Sequence, residues 1–278
     1  LSTSSAASDV YKRQELYDEI ANQVNISFPD FMKDFFNCPR KQGEIIVAGR
    51  ENAASMGIFI KKKRYAMLIY DDEGVRKDVD GKPGKIKAMG LDLKRSDTPD
   101  YMQNFLMDVL IKILTDGTQE DVIKMVKVFK KEFRAKPGWE KGTPKRVNNL
   151  TMYKNKIQKI AKQQGKDFKL EGEDNKKDKV HLPGHVSAAL NWNTLRELNG
   201  DKYSIEIVDG MKTIVCKLRP NALKMTSVAY PIDENRIPEW FQELPFDHEL
   251  MENTIIDKKL DNLIGVLKWD LSDADASE

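Results

Sequence analysis

The sequence predicts an α+β fold: a partial antiparallel sheet with flanking helices, then a mainly helical region carrying a small β hairpin. Three observations predict it. Short β-rich runs bounded by Gly, Asp and Pro crowd residues 43–93. Apolar side chains recur at spacings of three and four across residues 102–135. A further pair of β-rich runs flanks Asp209 and Gly210. Strands dominate before residue 95 and helices after it, which places a domain boundary near that point.

From residue 15 to 36, Leu16, Ile20, Val24, Phe28, Phe31, Met32, Phe35 and Phe36 follow helical spacing. This predicts one amphipathic helix or two, bent near Pro29 and stopped at Cys38 and Pro39, because proline has no backbone donor. Residues 43–49 (GEIIVAG) read as a strand, and residues 56–70 as one strand or two. DDEG at 71–74 is a turn, since Asp and Gly tolerate the required dihedrals. Residues 76–85 form a polar hairpin tip, and residues 86–93 the returning strand. RSDTPD at 95–100 offers a hydroxyl cap and a first-turn proline to a helix over 102–114. Asp116 and Gly117 end that helix, and a second over 119–135 completes a helical hairpin.

Beyond it, residues 141–156 lead into a helix reaching about Gln163, and residues 169–179 are a polar loop. HLPGHVSAALNWNTLREL at 181–198 opens on a Pro–Gly turn and becomes helical. Residues 203–220 read as the hairpin, and residues 238–244 and 247–267 as further helices. The acidic end, LSDADASE, reads as frayed.

At 278 residues, 40% hydrophobic and 32% charged, the chain can bury one large core or two modest ones and is not broadly disordered. It has no apolar run of about eighteen residues, so no membrane-spanning helix is expected and no membrane partner is implied. The net charge of +2 hides a segregation. Residues 136–169 hold ten Lys/Arg against two acids, a net of +8, whereas residues 231–278 hold four against thirteen, a net of −9. That pattern fits either a basic face that meets a polyanion or a solvated lysine-rich surface. The two cysteines, Cys38 and Cys216, are far apart and fit a reducing cytoplasm, and neither they nor the three histidines suggest a metal site. No glycine-rich phosphate loop and no Ser/His/Asp set occurs.

The first fourteen residues, LSTSSAASDVYKRQ, lack an initiator Met and the apolar stretch of a signal peptide. They resemble translated sequencing-adapter read-through, which implies a reading frame cut near Glu15. The other reading is a genuine disordered N-terminus.

The densest chemistry lies at residues 61–99. Lys61, Lys62, Lys63 and Arg64 run into Tyr65 and the strand AMLIY, so the cations can line a phosphate backbone beside an aromatic partner. Such a run at a strand start is otherwise simply solvated. The order KKKRYAMLIYDDEG, then KIKAMGLDLKRSDTP with Lys87 in it, resembles the palm–thumb junction of family B DNA polymerases, the replicative enzymes of tailed phages above all. PKRVNNLTMYK at 144–154 resembles a thumb segment of that family, contributing Lys145, Arg146, Asn148 and Tyr153. PGHVSAALNWN at 183–193 resembles its Pro-x-His-Val-Arg pattern, except that Ser187 stands where arginine is usual. His185 there reads equally as a phosphate donor or a helix-cap residue. Glu51 resembles an acidic position behind the catalytic aspartates, or else forms a surface salt bridge with Arg50 or a nearby lysine.

The resemblance implies the C-terminal part of a DNA-directed DNA polymerase: the end of the palm at 15–94 and the thumb at 95–278. It implies primer–template DNA as partner and the cytoplasm of a phage-infected bacterium as location. It also implies two Mg2+ ions in the intact enzyme, held by carboxylates of upstream DxxSLYP-like and DTDS motifs. Neither motif is in this sequence, so the fragment is expected to bind no metal and to be inactive alone. The family docks on a sliding clamp through a C-terminal peptide, and no such peptide is visible here. The competing readings are a stand-alone DNA-binding subunit of a split polymerase and a helical protein-interaction module.

Overall fold

The computed structural model describes residues 3–164 and 181–275. The polar loop expected at 169–179 lies outside them, as do Lys166, Asp167 and Lys169 of the basic segment and the last three residues of the acidic end. The chain divides into two compact units: Leu1–Met89 with Leu114–Asp116, and Gly90–Ile113 with Gly117–Glu278. The fold is α+β, with one antiparallel sheet in each unit.

The first unit opens with α1 (Thr3–Phe36), a single helix that continues through Pro29. Residues 3–14 continue into this helix, and Gln14 donates to the buried Asp71 carboxylate at 2.9 Å. The helix stops at Asn37, whose φ of 50° lies in the left-handed region that asparagine tolerates. A short α2 (Arg40–Gly43) follows.

The strand expected at 43–49 does not form. The backbone is still turning there, with the Ile46 N–H bonded back to the Gly43 carbonyl at 3.3 Å. Ile45 and Val47 are 78% and 73% exposed. A β-rich run becomes a strand only against a partner, and none lies beside it among the described residues.

The sheet is built on β2 (Arg64–Asp72), which pairs with β1 (Asn52–Lys61) along one edge. Its other edge takes the two-residue β3 (Val75–Arg76) and then β4 (Lys85–Met89). Ala66, Leu68, Ile69 and Tyr70 of β2 are all buried. The returning strand ends at Met89, four residues earlier than expected, because Asp92–Lys94 coils into a 3-10 turn.

In the second unit α3 (Asp100–Thr115) and α4 (Gln119–Ala135) fall where their periodicity puts them. Thr118 caps α4, its hydroxyl accepting from the Asp121 N–H while Asp121 accepts from the Thr118 N–H. The sheet runs β5 (Thr143–Arg146), β6 (Lys212–Lys217), β7 (Ser227–Pro231), with α5 (Leu150–Gln164) and α6 (Gly184–Leu198) between β5 and β6. Its core gathers Trp192, Phe241, Ile207, Val228 and Cys216, all fully buried, with Trp192 and Phe241 ring centroids 5.1 Å apart. α7 (Glu239–Gln242), α8 (His248–Glu252), a π turn at Asn253–Asp257 and α9 (Lys258–Ile264) follow.

The hairpin expected at 203–220 is replaced by something else. β6 pairs with β5 and β7, and residues 203–208 form no strand. Side chains of α6 take over the work of a ladder there. Asn193 accepts from the Ile207 N–H and donates to the Ile207 carbonyl, both at 2.9 Å. Trp192 Nε1 donates to the Ile205 carbonyl at 2.9 Å. Asp209, expected only as a turn residue, uses its carboxylate to cap the N-terminus of α5, accepting from the backbone N–H groups of Leu150 and Thr151.

The frayed end is also corrected. Ser272–Asp275 forms a 3-10 turn in which Ala274 is buried. Asp275 accepts from Lys130 Nζ at 2.7 Å and from Arg134 Nη2 at 2.9 Å. Lys130 is only 4% exposed, and Asp257 at 2.7 Å and Glu252 at 3.9 Å complete its surroundings. A buried ammonium needs this compensation.

Two stability measurements test these assignments. Asn193→Ala leaves the amide and carbonyl of Ile207 unpaired in the core, and urea unfolding should show a loss of about 2–4 kcal/mol. Asp257→Asn with Asp275→Asn should lose about 3 kcal/mol, because Lys130 keeps its charge without close partners. Adding Lys130→Met should restore most of that loss.

Candidate nucleic-acid interface

The basic run at 61–64 does not lead straight into a strand. Lys61 ends β1, Arg64 opens β2 opposite it, and Lys62 and Lys63 make the turn between them. Lys63 holds a φ of 62°, a conformation glycine takes more easily. The tip thus projects three lysines on one tight hairpin. Lys61, Lys62 and Lys63 are exposed and form no ion pair among the described residues.

The register explains what stands beside the tip. Tyr65 lies opposite Phe59 on β1 and Met89 on β4, and Met67 lies opposite Gly57 and Lys87. Alternation along the strands puts Phe59, Tyr65, Met67, Lys87 and Met89 on one face. Phe59 is 66% exposed, and its ring stacks on Tyr65 with centroids 6.0 Å apart. This face therefore offers aromatic and thioether surface with one cation among it.

Lys87 is not free to leave that cation unpaired. Its Nζ donates to Glu51 Oε1 at 2.8 Å and to the Asn52 side chain. The Glu51 hydrogen bond raises the Lys87 pKa above the usual lysine value against a smaller opposing effect of desolvation. Glu51 itself is solvent-exposed just ahead of β1. Arg50 reaches elsewhere, to Asp71 at 3.3 Å and Asp18 at 3.6 Å.

In the second unit β5 carries Lys145 and Arg146. Arg146 and Asn148 are exposed and make no side-chain hydrogen bond or ion pair among the described residues. Tyr153 is half-buried, its ring packed against the core below α5. Lys145 Nζ donates to Asp97 Oδ2 at 2.9 Å. His185, in the first turn of α6, lies near enough to Lys145 to feel its charge. Burial first and Lys145 second push the His185 pKa below its ordinary value of 6.5. The imidazole is therefore neutral near pH 7, with one nitrogen able to donate.

Residues 95–98, read in the sequence as a helix cap within the stretch resembling the palm–thumb junction, join Lys145 here. Arg95 grips the Asp97 carboxylate with Nε at 2.9 Å and Nη2 at 3.1 Å. Lys259, from α9, donates to Thr98 Oγ1 at 2.8 Å and lies 3.7 Å from Asp92. Arg95 first, and then Lys145 against the opposing effect of burial, hold the Asp97 carboxyl far below the usual carboxylate range. The i, i+2 spacing of Arg95 and Asp97 was the one local signal for the pair.

The structure thus groups the predicted residues into two sets, Glu51, Lys61, Lys62, Lys63, Arg64, Tyr65 and Lys87 on the first sheet, and Lys145, Arg146, Asn148, Tyr153 and His185 on the second unit. Among the described residues no three His, Cys, Asp or Glu side chains converge to hold a metal ion. The described residues therefore do not fit a two-Mg2+ centre. No helix among the described residues is long and apolar enough to cross a membrane.

Over 100 residues the chain is 33% identical to the DNA-directed DNA polymerase of Enterobacteria phage T4. Part of this chain is polymerase-like in sequence. The matched stretch is 36% of the chain and covers 11% of the length of that polymerase. No protein-family model matches the chain.

An NMR pH titration checks the second set. His185 should titrate below 6.5, and Lys145→Gln should move its midpoint upward by removing the nearby cation.

Proposed function

We propose that this chain is the C-terminal part of a phage-type family B DNA-directed DNA polymerase and that it holds the primer–template duplex. In this reading the first unit is the end of the palm and the second the thumb. The observation that carries it is the hairpin at residues 61–65. Three lysines without ion-pair partners among the described residues stand at one hairpin tip beside the exposed Phe59 ring stacked on half-buried Tyr65, in a chain part of which is polymerase-like in sequence.

Phosphates meet the tip lysines as point charges. Tyr65 and Phe59 offer flat apolar surface to sugar or base edges, and Arg146, Asn148 and His185 add donors on the second unit. Contacts of these kinds position a duplex without reading its sequence. Affinity should be nearly sequence-independent and should fall steeply with salt, because each neutralised phosphate releases counterions. The chain's own residues bind and orient. Nucleotidyl transfer in the intact enzyme would need two Mg2+ ions held by carboxylates from other segments.

A second reading, a protein-interaction module without a nucleic-acid role, draws on α1. Leu16, Ile20, Ile26, Phe31 and Phe35 of that helix are exposed although apolar.

Fluorescence anisotropy with a primer–template oligonucleotide separates the two. Binding should weaken by about tenfold or more between 50 and 200 mM salt. Lys62→Ala with Lys63→Gly should make the log–log salt slope shallower by about two, one for each lost phosphate contact. Glycine suits position 63 because alanine would keep the left-handed strain there. Salt-insensitive binding, or an unchanged slope in this double variant, would remove the support for the duplex-holding role.

A further inference from the structure

We propose that Arg95 and Lys145 form a binding site for a DNA backbone phosphodiester, and that the Asp97 carboxylate fills this site while no nucleic acid is bound. The inference rests on the duplex-holding reading above. It gives a role to two residues, Arg95 and Asp97, that the sequence reading did not name as DNA contacts.

The geometry is that of an anion site with its anion supplied internally. Arg95 presents Nε and Nη2 side by side to one carboxylate, and Lys145 approaches the same group from β5. A guanidinium fork closed by a lysine matches a phosphate as well as it matches a carboxylate. Both cations remain open to solvent, with Arg95 58% and Lys145 40% exposed, so a ligand can reach them without any rearrangement of the core.

The layer beneath is fixed independently. Asp92, 11% exposed, accepts from Asn262 at 3.0 Å and lies 3.7 Å from both Arg95 and Lys259. Lys259 is equally buried and bonds to Thr98 Oγ1, and the Thr98 N–H closes the turn onto the Arg95 carbonyl at 3.1 Å. Asp97 can therefore let go of its cations while Asp92, Thr98 and Lys259 keep the turn in place. Asp97 is half-buried while Arg95 and Lys145 are the more exposed partners, so a phosphate can take its place between the two cations. Its neighbours on the binding side are favourable too, since His185 beside Lys145 is neutral and able to donate.

As a competing anion, Asp97 has a definite sign of effect. Removing its charge should free two cations for the ligand, whereas removing a carboxylate that merely positions Arg95 and Lys145 should weaken binding. Asp97→Asn and, as a second replacement, Asp97→Ser in the full chain are compared with wild type on a primer–template oligonucleotide, with inorganic phosphate as a parallel titrant. Each variant should bind the duplex about two- to fivefold more tightly at low salt, the scale of one exposed ion pair. Each should also have a salt slope steeper by about one. Adding Lys145→Gln should erase the gain.

Unchanged or weaker duplex binding by both variants, with unfolding curves like wild type, overturns the proposal. So does a gain confined to inorganic phosphate, which would make the site one for a small anion. If wild type binds duplex with steep salt dependence and the Asp97 variants do not differ from it, this inference alone fails. If neither wild type nor variants bind duplex, the duplex-holding reading fails with it.

Discussion

Both outer strands of the second sheet take their ladder bonds from β6, so the positions of Lys145 and Arg146 are set by a strand that carries neither of them. Lys145 stands opposite Thr213, and Arg146 opposite Lys212. β6 is in turn held from within, because Thr213 and Cys216 are fully buried and Val215 nearly so. Burial pushes the Cys216 thiol pKa far up, so it serves as a small apolar group rather than a nucleophile. The approach of the chain to β6 is close enough to require Gly142, where a Cβ would stand 2.4 Å from Ile214 Cγ2 and 2.8 Å from the Cys216 sulfur. From that strand outward, α6 packs its Trp192 into the aromatic core and brings His185 to the side of Lys145.

A second pattern concerns charge. The net charge of +2 and the basic segment at 136–169 describe how many cations there are, not how many are available. Lys87, Lys130, Arg134 and Lys145 are each matched to a carboxylate within 3 Å. Lys61, Lys62, Lys63 and Arg146 have no ion pair among the described residues. Of these four, the three lysines sit at a hairpin tip and Arg146 on an edge strand. Both places hold the charge away from internal competitors.

Much of the fold is legible in the sequence where local signals agree. α3 and α4 combine a helical stripe, the RSDTPD cap and a glycine break, and each appears within two residues of its expected bounds. The first sheet is legible from β-rich runs between turn residues. The failures share a cause. Residues 43–49 and 203–208 have strand composition, but pairing is a property of the partner, and one run has none while the other is satisfied by Asn193 and Trp192 of α6. The candidate site is legible to the same extent. The run at 61–65 stands out as a cluster, but its turn is hidden because Lys63 occupies a position where glycine would have marked it. Asp97 and Lys145 are 48 residues apart, and no spacing rule joins them.

The Lys130 site bears on how the second unit is made. Its ammonium lies in the middle of α4, while the Asp275 carboxylate that accepts from it comes 145 residues later. At ribosomal rates of about 5–20 residues per second, that carboxylate is synthesised roughly 7–30 s after the lysine. Glu252 and Asp257, its other acidic neighbours, also follow more than a hundred residues after it, so closing the inner face of the helix before they are made would enclose a bare charge. Packing of that face of α4 therefore depends on carboxylates far along the chain, at 252, 257 and 275.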